Sequence, residues 1–199
     1  MLEYLVFVAA LATLLAAFVY IRSMFRGGAK PNRVSWLMWA AAPFIATGAA
    51  VSSGVGWSVL PVFMAGFSPL LIFAASFLTK KAYWKPSSFD YTCGILSGLA
   101  LILWYFTKDP VVAIVFSILS DGLATVPTMT KAWRYPETES VWPFATGVFG
   151  ALSSLVAATT WNFAAFAFPS YLLIANVMVL FAIYGKKLLL NQDSSLPPD

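Results

Sequence analysis

The chain has no histidine and a single cysteine, Cys93. Without histidine there is no His-ligated haem, no member of the commonest zinc-ligand class and no imidazole proton relay. One cysteine excludes an intrachain disulfide and a multi-cysteine metal site. Charge is scarce too: Asp, Glu, Lys and Arg make up 10% of the chain, against about 25% in soluble domains. With these parts missing, acid–base and metal chemistry lack their usual components. The expectation is a protein that is not an enzyme and holds no cofactor.

Apolar residues are what the sequence has in quantity. They form 60% of its 199 positions, and the mean hydropathy is +0.81. They fall into runs at 4–21, 34–51, 57–78, 91–106, 110–129, 141–158 and 163–184. Each is close to the ~20 residues that span hydrocarbon, the fourth being short. The first is read as a membrane helix and not a cleaved leader, because no basic residue precedes it. Seven spans leave no room for a separate soluble domain.

The net charge of +4 is a matter of topology and does not point to nucleic acid. Seven spans put Arg22, Arg26, Lys30, Arg33, Lys80, Lys81, Lys85, Lys131, Arg134, Lys186 and Lys187 on one side. Lys108 alone falls on the other. The positive-inside rule then places the N-terminus outside and the C-terminus in the cytoplasm, with a bacterial inner membrane as the expected location.

The fifth run carries the most informative residue. Asp121 lies about ten residues past Pro110, which at ~1.5 Å per residue is near mid-bilayer. A carboxylate there is costly unless paired, protonated or facing a wet cavity. Ser117, Ser120, Asp121, Thr125 and Thr128 share one helix side. Pro127 follows and removes a backbone donor, while Lys131 and Arg134 are expected to close the segment at water. Packing by hydrogen bonds to Ser117, Thr125 or a freed carbonyl is the plainer account of the acid. Asn176, midway along the last run, is read equally well as a ligand group or an interhelical hydrogen bond. Trp36 and Trp39 fit an interfacial belt better than a stacking platform, although Trp39 lies a turn deeper and joins the candidate binding residues. Pro43 and Pro127 are candidate hinges that also read as fixed bends. Gly94 and Gly98 allow close helix approach, within the chain or in a homo-oligomer.

A shift of 105 residues aligns Met24 with Met129, Arg26 with Lys131, Pro31 with Pro136 and Ser35 with Ser140. One further residue of slip brings Lys80-Lys81 onto Lys186-Lys187. Two three-helix units joined by an odd helix keep the same orientation, so the halves are expected to be parallel repeats about an axis near the membrane normal. The division is a single membrane domain over 1–199: repeat 1–81, linker and inverter helix 82–109, repeat 110–187 and a disordered tail 188–199.

This arrangement resembles the SWEET sugar transporters and their PQ-loop relatives, and is similar to that of bacterial nicotinamide-riboside transporters. Pro127-Thr128, Lys131 and Ser140 match the dipeptide, basic turn and serine of the PQ-loop motif, with Thr128 in place of glutamine. Asn176 resembles the substrate-facing asparagine of the SWEET third-repeat helices, and Pro43 and Pro127 resemble two members of the SWEET proline tetrad. The first-repeat counterparts, near Arg22 and Leu70, lack the pattern. The resemblance implies an all-α, seven-helix membrane transporter with a midplane site between repeats. Asp121, Asn176, Ser117, Thr125, Thr128 and Trp39 are the candidate substrate-binding residues, with or without proton coupling. A membrane receptor or assembly subunit on the same fold is the alternative.

Overall fold

The computed structural model describes residues 4–81, 84–107 and 109–193, which form helices and no strand. The α-helices are α1 (Tyr4–Phe25), α2 (Arg33–Ser52), α3 (Leu60–Ala75), α4 (Ser88–Thr107), α5 (Pro110–Arg134), α6 (Trp142–Ala157) and α7 (Phe163–Asp193). Short 3-10 turns, Trp57–Val59 and Pro136–Thr138, precede α3 and α6.

Local chemistry sets the ends. The Asp109 carboxylate accepts from the Val111 and Val112 amides with Pro110 at the first helical position, so α5 starts where its free donors find an acceptor. Gly27 and Gly54, both at φ 82°, follow the ends of α1 and α2. There a left-handed residue turns the chain without a Cβ clash. The last helix runs on to Asp193, so residues 188–193 are helical and not a disordered tail. The Leu188–Leu190 run has high helix propensity and carries α7 onward. Residues 194–199, like Lys108, lie outside the described residues.

Among the described residues, five spans are long and apolar enough to cross a membrane: Tyr4–Phe25, Arg33–Ser52, Trp57–Ala75, Pro110–Arg134 and Phe163–Gly185. α6 is equally apolar in character but shorter. The chain is therefore a helical integral membrane protein. Large apolar side chains such as Leu11, Leu15, Phe18, Ile174 and Phe181 face outward, as lipid requires.

Six helices close into a ring in the order α1, α3, α2, α5, α7, α6, each packed on its neighbours. α4 stands outside, packed on α5 and to a smaller extent on α2. A Cβ on Gly94 would clash with Val34 Cγ1, so Gly94 serves contact within the chain. Gly98 faces open space.

Hydrogen bonds sort the connections onto two ends. At one end Lys30 N donates to Thr138 O (3.0 Å), Arg33 reaches Ser76, and Asn32 Nδ2 donates to Asp90 Oδ1 (2.6 Å). These join the 1–2 connection to the 5–6 connection, the end of α3 and the start of α4. At the other end Ser154 Oγ donates to Ser58 O (2.7 Å), tying α6 to the 2–3 turn. Tyr20, Trp36, Ile72, Phe144 and Ile183 form one core cluster towards the basic end. Val55, Val62, Ile114, Phe168 and Leu172 form another towards the opposite end.

Candidate functional site

Between the two clusters all six ring helices line one cavity of about 80 Å³. That is room for a few waters and well below the ~300 Å³ of a small drug-sized pocket. Asp121 lines it from α5 and is 3% exposed. Its Oδ2 accepts a hydrogen bond from the Tyr171 hydroxyl of α7 at 2.8 Å. One turn on, Thr125 Oγ1 donates to the Asp121 carbonyl oxygen (2.8 Å) and accepts from Trp39 Nε1 (3.1 Å). The hydroxyl thus fixes the Trp39 ring of α2 against the helix that bears the acid.

Asn176 lines the cavity from α7. Its Nδ2 donates to Leu172 O at 2.7 Å. On the facing helix a Cβ at Gly147 would lie 2.5 Å from Asn176 Oδ1. Only glycine leaves space for that amide. Of the candidate binding residues, Asp121, Asn176, Thr125 and Trp39 meet at this cavity.

The others do not line it. Ser117 and Thr128 are fully buried, with hydroxyls that have no partner among the described residues. They share a helical side with Asp121, but a stripe as long as theirs runs past a cavity of this size. Pro43 and Pro127 are buried inside continuous helices away from the cavity, and Pro61, Pro69 and Pro143 line it instead. Trp36 and Trp39 are 2% and 7% exposed, so neither is an interfacial belt residue. They belong to an aromatic row, with Tyr20–Trp36 tilted at 4.8 Å and Trp36–Trp39 at 5.2 Å and Trp39–Phe144 at 6.0 Å edge-packed. Tyr171 is the contact that sequence reasoning missed. A tyrosine in an apolar span signals that its hydroxyl needs a partner, but gives no clue to which one.

No family model, curated protein or solved structure matches this chain. The function must be read from the geometry.

A second buried acid lies at the basic end. Lys131, expected at water, is 3% exposed, and its Nζ is 2.6 Å from Glu139 Oε1. Burial is possible because its charge is matched: the Tyr20 hydroxyl donates to Glu139 Oε2 (3.1 Å) and Lys131 Nζ also donates to Lys30 O. Trp84 places its ring 4.8 Å from the same ammonium. The cluster joins α1, α5 and the 1–2, 3–4 and 5–6 connections.

Proposed function

We propose that the chain is a small-molecule membrane carrier of the SWEET/PQ-loop type: three helices, an inverter and three more, with its site at the central cavity. The observation that carries this reading is the cavity itself, which gathers every ring helix around a carboxylate and an amide. A receptor or assembly subunit would be served as well by a filled core. The packing order supports two parallel repeats. Exchanging α1 with α5, α2 with α6 and α3 with α7 turns the ring onto itself as a half rotation, with its sense kept. That is what an axis along the membrane normal produces. Trp39 and Phe144, paired by the 105-residue shift, meet at 6.0 Å beside the cavity, as residues flanking such an axis do. The clustering of Arg22, Arg26, Lys30 and Arg33 with the 5–6 connection supports a cytoplasmic basic end and an outside N-terminus.

Two experiments test this. Purified protein in liposomes is screened for uptake, and in detergent for thermal shift, against sugars, vitamins, nucleosides and amines. A carrier takes up at least one class in a saturable way; absence of uptake across the panel by folded protein refutes transport. A cysteine at exposed Tyr135, in a Cys93→Ser background, is expected to react with impermeant reagents from the cytoplasm. Reaction from outside alone overturns the orientation.

A further inference from the structure

The cavity contains one formally charged group and nothing to balance it. Asp121 is the acid; no Lys or Arg lines the space. Its Oδ2 takes the Tyr171 hydrogen bond, while Oδ1 accepts none among the described residues. A tyrosine hydroxyl solvates a carboxylate but brings no positive charge. Glu139, buried to a similar degree, has Lys131 for that purpose. A membrane-embedded carboxylate left unmatched is costly, so the compensating charge at Asp121 has to come from solution, as a proton or as a cation.

The rest of the lining chooses between kinds of cation. A metal ion would need several oxygen or nitrogen ligands. No group of three His, Cys, Asp or Glu able to hold one exists among the described residues. Among small, aliphatic and hydroxyl side chains, the cavity that the acid lines carries one aromatic cluster: Trp39, pinned through Thr125, with Trp36 and Phe144 in edge contact with it. Aromatic faces attract weakly hydrated organic ammonium groups, and Trp does so best. Asn176 adds an amide for a polar substituent.

We infer that the cavity takes a small organic cation, an ammonium head held between the Asp121 carboxylate and the Trp39 ring, and exchanges it for a proton on the same carboxylate. This rests on the carrier reading above. When the cation arrives, the carboxyl O–H bond breaks, its electron pair stays on Asp121, and the proton leaves to the side on which the cavity is open. When the cation departs, a proton returns. The site holds one positive charge in either state, so neither species crosses without the other in exchange. Among elements packed on α5, α7 presents Tyr171 to the acid, while α2 and α4 present Trp39 and the uncharged Ser97. Glu137 and Glu139 adjoin the basic end of α5, Glu139 in its pair with Lys131.

Tetramethylammonium is a suitable probe, with tert-butanol as an uncharged control of similar size. The full chain in detergent is titrated with each by calorimetry, and the chain in liposomes is assayed for radiolabelled tetramethylammonium uptake under an outward proton gradient. The cation is expected to bind and tert-butanol not. Asp121→Asn, which keeps size and an acceptor for Tyr171, should weaken binding about tenfold or more. Trp39→Leu should weaken it about threefold to thirtyfold. Uptake should rise with the outward proton gradient. Equal binding of tert-butanol, or unchanged binding by folded Asp121→Asn, overturns the cation assignment. So does proton flux that tetramethylammonium leaves unaltered, which would make Asp121 a proton site alone. Saturable uptake of an uncharged solute without cation binding removes the substrate class and leaves the carrier standing. Asp121-dependent cation binding with no uptake of any solute keeps the cation site and removes the carrier.

Discussion

Asp121 and Glu139 are both buried acids that accept a hydrogen bond from a tyrosine on another helix. Glu139 is also matched by Lys131 at 2.6 Å and is closed off from water. Asp121 has no such cation and borders a cavity. The difference separates two uses of a carboxylate in a membrane protein. A matched acid is satisfied by the fold and fastens it. An acid without a cation at mid-span beside a cavity is costly unless it is protonated or meets a charge from solution, which is the use proposed for Asp121.

Substitutions that alter one side of this contrast have effects of different size. The largest is expected at Lys131. Lys131→Met leaves Glu139 buried without its cation, at a cost of about 3–5 kcal/mol in unfolding free energy. Adding Glu139→Gln removes the stranded charge, so the double variant should recover much of the loss. A double variant no better than the single would show that the pair does not hold the basic end together. Chemical unfolding in detergent measures both.

Gly147→Ala comes next. Its methyl would meet Asn176 Oδ1 at 2.5 Å, and strain from such overpacking is about 1–3 kcal/mol. Displacing the Asn176 amide should also lower uptake. Gly98→Ala, facing open space, is its control and should leave both unchanged.

Tyr171→Phe removes one hydrogen bond from Asp121 and should cost about 1 kcal/mol. The smallest stability effect belongs to Asp121→Asn, within about 1 kcal/mol in either direction, since interhelical polar contacts in membranes are individually weak. Uptake should nevertheless collapse. A loss of several kcal/mol on Asp121→Asn, with uptake intact, would make this acid a second structural one and erase the contrast.

The fold was legible in the sequence to the extent that apolar runs of spanning length leave little freedom. The fifth run, expected to end near Met129, continues as α5 to Arg134. Within that extension Lys131 meets Glu139 inside the protein, which hydropathy does not encode. In the same way Asp121 stood out because a charge at mid-span is costly wherever it occurs. Its partner Tyr171 lies 50 residues away, and their meeting depends on the rotation of α5 against α7. Prolines illustrate the limit: Pro43, Pro127 and Pro69 lie inside helices while Pro61 and Pro143 open them, and spacing does not reveal which of them border empty space. The Trp36 and Trp39 pair was misplaced for a related reason. Indoles near helix ends suit an interface, and only the packing of Tyr20 and Phe144 beside them puts these two inside.

The central claim is that the Asp121 cavity is reached in turn from both sides of the membrane. Ala65 lines that cavity without touching the acid's hydrogen bonds, and a cysteine there in a Cys93→Ser background reports access directly. A positively charged methanethiosulfonate is applied to right-side-out and inside-out vesicles in separate reactions. The account predicts modification from each side, slowed by tetramethylammonium in both cases. A cysteine that reacts from neither side while the protein is folded, yet reacts fully once it is unfolded, would contradict it.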